Sequence, residues 1–180
     1  MREITTAART IYAGRVVRLE VHDVCLEDGR TSTREIVRHA PAVAVLPRLP
    51  DGRFLLVRQF RKAVDAEVVE LCAGLREPGE PAEEAARREL AEETGCTARR
   101  LQPLGRVCVS PGYTDEWIDL FYAECDPPSG DNDLDADEHV EVVALGRADL
   151  ETALRENRIR DAKTFAAWAL AHLRGCLDAD

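Results

Sequence analysis

The order of elements in this sequence predicts an α/β fold: a three-layer α/β/α sandwich around one mixed sheet, preceded by a small antiparallel β layer. Three observations carry this. Two Asp-Gly turns near the start of the chain each lie between β-rich segments. A helix bearing start and stop residues stands between strand segments in the middle. Helical periodicity returns at the C-terminus, so strands fall before, between and after helices.

Asp28-Gly29 separates Val16–Leu26 from Thr31–His39, and Asp51-Gly52 separates Ala42–Leu46 from Phe54–Phe60. Asp-Gly between such runs reads as a hairpin. Residues 1–40 therefore form a thin antiparallel region of their own, and Pro41 marks its boundary with a domain over 41–180. The spacing predicts a helix over Pro81–Thr94, with proline at the first helical position and Gly95 as the C-terminal cap. Leu101–Val109, Trp117–Glu124 and Val140–Leu145 read as strands. The acidic, breaker-rich stretch Asp126–His139 reads as a mobile loop. In the last helix, Ala162, Phe165, Ala166, Ala169, Leu170 and Leu173 share one apolar stripe, expected to pack into the core.

Apolar residues make up 45% of the chain, enough for one core, and charged residues 32%. A formal net charge of −10 argues against nucleic acid or an anionic membrane as partner. No secretory signal and no bilayer-spanning run is evident, so the chain reads as soluble and cytoplasmic. The six cysteines form no CxxC pair, which argues against a closed zinc site and for reduced thiols.

The chemistry concentrates in Gly74–Cys96. On a helix, Glu89, Glu92 and Glu93 lie at i, i+3 and i+4, three carboxylates on one face. Like charges at these spacings repel unless a cation lies among them, and hard divalent cations take oxygen ligands. Arg88 is placed to neutralise and orient part of the cluster. Gly74 and Gly79 permit a tight loop that brings backbone carbonyls near a cation. A charge run alone would read as a solvated acidic face; the fixed spacing overturns that reading. Gly74, Glu80, Arg88-Glu89-Leu90, Glu92-Glu93 and Gly95, followed by an apolar Cys96, resemble the Nudix box at every fixed position. Cys96 stands for the usual aliphatic residue, and Cys72 for the proline of the related ELPAG run.

Two further stretches resemble the ADP-ribose pyrophosphatase subfamily. They are Val57-Arg58-Gln59-Phe60-Arg61, like its VRQYR run, and Ser110–Glu116, like its SPGxxxE loop. Glu138–Val143 and the helix start at Ile159–Thr164 extend the likeness over about Tyr12 to Arg174. The resemblance implies a Nudix sandwich that hydrolyses ADP-ribose to AMP and ribose 5-phosphate with Mg2+, for which Mn2+ could substitute. Other nucleoside diphosphate sugars, such as GDP-mannose or UDP-glucose, and a non-catalytic ADP-ribose-binding regulator remain as alternatives. It implies metal ligands at Glu89, Glu92, Glu93 and the Ala73 carbonyl, with Arg88 and Glu92 in the catalytic group. The base is expected at Glu138 by position, with Asp137 and Asp135 as neighbours; the pattern does not choose between Glu138 and the Glu92-Glu93 pair.

Substrate contacts are expected from Arg61, Arg58, Glu77, Ser110, Gly112 and Glu116. Bottom-up, a strand arginine is as readily a surface ion pair, and Arg58 pairs with a carboxylate or a phosphate. The resemblance also implies a homodimer through the N-terminal strands, with Arg34 and Glu35 reaching the neighbour's substrate.

Overall fold

The computed structural model describes residues 2–128 and 140–178. Its first three strands, β1 (Glu3–Ala13), β2 (Val17–Leu26) and β3 (Thr31–His39), form an antiparallel sheet in that order. β1 is exposed along its whole length, and its register on β2 shifts at Thr5/Ala7 and Thr10/Tyr12. The β2–β3 turn is a three-residue loop: Gly29 N–H donates to the Leu26 carbonyl at 2.9 Å, and Leu26 N–H to the Arg30 carbonyl at 2.8 Å. Gly29 takes the left-handed conformation (φ 85°), which a side chain would disfavour. Leu49–Arg53 repeats this loop bond for bond, with Pro50 in the place of Glu27 and Gly52 at φ 85°. In both, the arginine after glycine returns to the turn aspartate, Arg30 to Asp28 and Arg53 to Asp51.

The second sheet has seven strands in the order β10-β5-β4-β9-β8, with β6 added to β5 and β7 to β4. Its strands are β4 (Ala42–Arg48), β5 (Phe54–Arg61), β6 (Ala66–Glu70), β7 (Cys72–Leu75), β8 (Ala98–Cys108), β9 (Trp117–Cys125) and β10 (Glu141–Leu145). β4 runs parallel to β9 and antiparallel to β5 and β7, so the sheet is mixed. Three helices complete the chain: α1 (Ala82–Thr94), α2 (Arg147–Arg155) and α3 (Ala162–Leu173).

Alternation along the strands builds two cores. Ala42, Ala44 and Leu46 of β4, with Phe54, Leu56 and Leu120, meet Leu150 and Ala153 of α2 and Ala167 and Ala171 of α3. Val43, Val45, Leu55, Val57 and Phe121 point the other way, onto Ala85, Ala86 and Leu90 of α1. Side chains two apart share a face, so both faces are apolar and both are covered by helix. The three-layer arrangement is the one the sequence predicts.

Two compact units divide the chain. One holds the residues up to Pro41 together with Cys108–Trp117; the other holds Ala42–Val107 and the chain from Ile118 onward. Within the first, the loop after β8 joins β3 through a parallel bridge between Val37 and Thr114. Val37 N–H donates to the Tyr113 carbonyl at 2.7 Å, and Asp115 N–H to the Val37 carbonyl at 3.2 Å.

Two expectations are corrected. Pro81 is the residue before the first turn of α1 (φ −61°, ψ 142°), so the helix begins one position later than predicted. The stripe expected to bury α3 holds only in part: Ala166 and Leu170 pack against the core, but the helix is turned so that the rest of the stripe is exposed. The buried residues are Thr164, Ala167 and Ala171, whereas Phe165 is 41% and Leu173 79% exposed. Almost every residue of α3 is apolar or small, so the stripe lacks the polar contrast that would orient it. The small side chains of Ala167 and Ala171 instead bring the helix close to the sheet, and Thr164 fixes its start. β6 leaves β5 and the chain joins β4 as β7, so Leu71 sits at a break in the sheet. Its N–H donates to Thr164 Oγ1 at 3.1 Å, which fills the gap.

Four of the six cysteines (Cys72, Cys96, Cys125 and Cys176) are buried free thiols, and Cys108 is exposed. Among the described residues no helix is long and apolar enough to cross a membrane.

Candidate active site

The loop before α1 is built from two glycines that serve different ends. Glu77-Pro78-Gly79-Glu80 closes a turn, with Glu80 N–H on the Glu77 carbonyl at 3.0 Å and Gly79 at φ 83°. Proline and glycine at its central positions suit a type II turn. At Gly74 the need is space: a Cβ there would lie 2.1 Å from the carboxyl carbon of Glu89. Glycine therefore lets β7 press against the carboxylates of α1.

Those carboxylates are held rather than solvated. Glu89 is 9% and Glu93 3% exposed, while Glu92 is more open. Glu93 Oε2 accepts the Ala73 N–H at 3.1 Å. Arg88 ties the rest together. Its Nη1 donates to Glu89 Oε1 at 2.7 Å and Glu92 Oε2 at 3.0 Å; Nε and Nη2 donate to the two oxygens of Glu80 at 3.0 and 3.1 Å; Nη2 also donates to the Leu75 carbonyl at 3.0 Å. All five guanidinium N–H groups are thus engaged. Arg88 shapes the cluster and has no donor left for a substrate. The same contacts raise its pKa, Glu80 first, and hold the Glu80 carboxyl below the usual carboxylate range.

Among the described residues no three His, Cys, Asp or Glu side chains converge as a ready-made metal cluster. The donor chemistry nonetheless fits a hard divalent cation. Two buried carboxylates and a third on the same helix face offer oxygen alone, and the glycine beside them leaves room that a Cβ would fill.

Arg61, expected to contact the substrate, lies within reach of the charge of Glu93. Its Nε donates to Glu70 Oε1 at 2.6 Å. Burial opposes its charge, but Glu70, Glu93 and Asp161 outweigh that and raise its pKa. Glu70 also receives Lys163 Nζ, on its other oxygen. Glu70, Lys163 and Asp161 were not singled out in the sequence. The one available signal was that Glu70 opens the Glu70–Gly74 run that resembles ELPAG; Lys163 lies 93 positions further on. Arg58 forms an exposed ion pair, Nη1 to Glu141 Oε2 at 2.9 Å across β5 and β10, which fits the carboxylate alternative. Glu77 is exposed, and its N–H donates to Glu80.

Ser110, Gly112 and Glu116, with Arg34 and Glu35, belong to the unit that contains β1–β3. Asp115 anchors their loop, accepting His39 N–H at 2.9 Å and Arg38 Nη1 at 2.9 Å. Glu116 lies 3.7 Å from His39 Nδ1. Arg34 grips Glu3 with two hydrogen bonds, and Glu35 is exposed. Glu138, Asp137 and Asp135 lie outside the described residues.

The NUDIX domain matches residues 38–168. The chain belongs to the Nudix family. Its box is the Gly74–Cys96 loop and helix described above. A Bacillus subtilis (strain 168) protein named ADP-ribose pyrophosphatase is 40% identical over 180 residues, covering 99% of this Nudix chain and 97% of its own. A Bacillus methanolicus protein named methanol dehydrogenase activator is 39% identical over 97% of this chain and 95% of its own. A crystal structure titled as an ADP compounds hydrolase superposes with a TM-score of 0.86 over 99% of this chain and 97% of that one. At 24% identity it speaks for the Nudix fold alone.

Proposed function

We propose that this protein hydrolyses the diphosphate bond of ADP-ribose, giving AMP and ribose 5-phosphate, with Mg2+ as cofactor and Mn2+ as a substitute. The observation that carries the reading is the pair of buried carboxylates: Glu89, held by Arg88 against Gly74, and Glu93, on the Ala73 N–H. Two buried carboxylates on one helix face repel unless positive charge lies among them; Arg88 answers part of that charge at Glu89, and a divalent cation would answer the rest. Full-length similarity to a protein named ADP-ribose pyrophosphatase supports the choice of substrate.

Glu89, Glu92 and Glu93, with the Ala73 carbonyl, would hold the cation. When bound, it would supply positive charge against the diphosphate and acidity to a nearby water. Glu138 would take the proton of the attacking water, with Glu92 as the alternative base. The water oxygen bonds to one phosphorus, the P–O–P bridge breaks, and the other phosphate leaves. Arg61 binds the diphosphate, and Glu77, Ser110, Gly112 and Glu116 contact the substrate. The chain acts as a cytoplasmic homodimer through β1, whose exposed edge position and exposed Ile4, Ile11 and Tyr12 favour a partner strand; Arg34 and Glu35 then serve the neighbour's substrate.

The test is a substrate panel of ADP-ribose, GDP-mannose and UDP-glucose with Mg2+, on wild type and Glu93→Gln. Release of AMP from ADP-ribose should dominate, and the variant should fold but lose orders of magnitude in turnover. A tenfold preference for another sugar would replace the substrate, and no turnover at all would favour a binding regulator.

A further inference from the structure

We propose that Lys163 is a positioning residue for diphosphate binding: through Glu70 it keeps the terminal nitrogens of Arg61 free for the substrate. The inference rests on the reading of Arg61 as a diphosphate ligand.

Glu70 is 3% exposed and shares its two oxygens between two cations. Arg61 Nε holds Oε1 at 2.6 Å, and Lys163 Nζ holds Oε2. Lys163 is itself nearly buried, its side chain 11% exposed, and also donates to Asp161 Oδ1 at 3.0 Å. Asp161 in turn caps α3, accepting Thr164 N–H at 2.9 Å and Oγ1–H at 2.6 Å. The start of α3 is therefore tied to the carboxylate that orients Arg61.

The consequence follows from how guanidinium meets carboxylate. Left alone, the pair favours a two-point fork, with Nε and one terminal nitrogen on the two oxygens. Here Lys163 occupies the second oxygen, and none of the Arg61 hydrogen bonds among the described residues uses Nη1 or Nη2. Those two nitrogens can then present a fork to phosphate oxygens. Without Lys163, Glu70 would be a buried carboxylate with one cation. It would draw Arg61 into the two-point pair and away from the diphosphate.

The experiment is a double-mutant cycle on the full chain, with steady-state kinetics on ADP-ribose and Mg2+ and thermal melts of each variant. Lys163→Met should raise KM about tenfold, with kcat within about threefold of wild type. In an Arg61→Ala background the same change should move KM less than about twofold. Ala171→Leu overpacks the same helix about two turns beyond Asp161 and Lys163, where Ala171 is fully buried, so it should lower the melting temperature and leave KM near wild type. If Lys163→Met does not fold, Lys163→Gln, one bond shorter, takes its place in the cycle. Equal KM effects of the Lys163 change in both backgrounds overturn the inference and leave the proposed function standing. A rise in KM for Ala171→Leu as large as that for Lys163→Met does the same. An Arg61→Ala variant with unchanged KM overturns the inference together with the role of Arg61 in the proposed function, and leaves only the hydrolysis itself standing. Failure of the wild type to hydrolyse any nucleotide sugar overturns both.

Discussion

Arg88 and Glu80 form a two-point ion pair, Nε to Oε1 at 3.0 Å and Nη2 to Oε2 at 3.1 Å. The pair bolts the end of the glycine loop to the middle of α1. The remaining donors of Arg88 then reach Glu89, Glu92 and the Leu75 carbonyl, so one guanidinium sets the spacing between loop and helix. Geometry of this kind depends on a planar fork, which a lysine ammonium lacks.

Arg88→Lys should therefore keep the charge and lose the clasp. Turnover is expected to fall on the order of 10²-fold, the scale of a misplaced reacting group, while the fold survives. Steady-state kinetics alongside a thermal melt checks this; turnover within threefold of wild type would show that the carboxylates keep their places without the clasp.

The corrected face of α3 gives a stability prediction. Ala167 is fully buried against the sheet, so Ala167→Leu should cost about 1–3 kcal/mol through overpacking. Leu173 is exposed, and Leu173→Ala should change stability by no more than about 0.5 kcal/mol. Urea unfolding of the two variants decides. The predicted stripe would have reversed the order.

What the sequence discloses and what it hides divides along range. The carboxylate face of α1 was legible because helical spacing is local, and the two Asp-Gly hairpins for the same reason. The face of α3 was not, since an apolar helix carries no contrast to say which side packs. Arg61 and Arg58 sit three residues apart on β5 and look alike in sequence. Their partners, Glu70 with Lys163 for one and Glu141 for the other, separate a residue beside the carboxylates from an exposed ion pair. Likewise, the Ser110–Glu116 loop joins β3 through Val37 and Thr114, 77 positions apart, a pairing that no local pattern announces.

Gly74→Ala tests whether the loop needs glycine for room rather than for backbone freedom. The added Cβ would meet the Glu89 carboxylate at 2.1–2.2 Å, and that group is the end of a flexible side chain. Glu89 should swing aside and the chain should still fold. Metal-dependent turnover should drop by on the order of 10²-fold, since a shift of about 1 Å in a positioned group has that effect. A melting temperature near wild type with lost turnover fits this account. Unchanged turnover would remove Glu89 from the site.

The pH dependence of stability should carry a signature of Glu20, in the β1–β3 sheet. Its carboxyl is lowered from 4.5 to about 2, first by the hydrogen bond with His22 and then by that with Arg38. Asp115 moves the same way: burial alone would raise it, but His39 N–H and Arg38 outweigh burial. A carboxyl depressed in the folded state binds protons more weakly there than in the unfolded chain. Its stabilisation is therefore complete above about pH 4.5 and fades as pH falls towards 2. Wild type should melt above Glu20→Gln near pH 6, and the gap should close across this acid window. Thermal melts at about pH 6, 4 and 3 would reveal it. A gap that stays constant down to pH 3 would mean that packing, not ionisation, sets the contribution of Glu20.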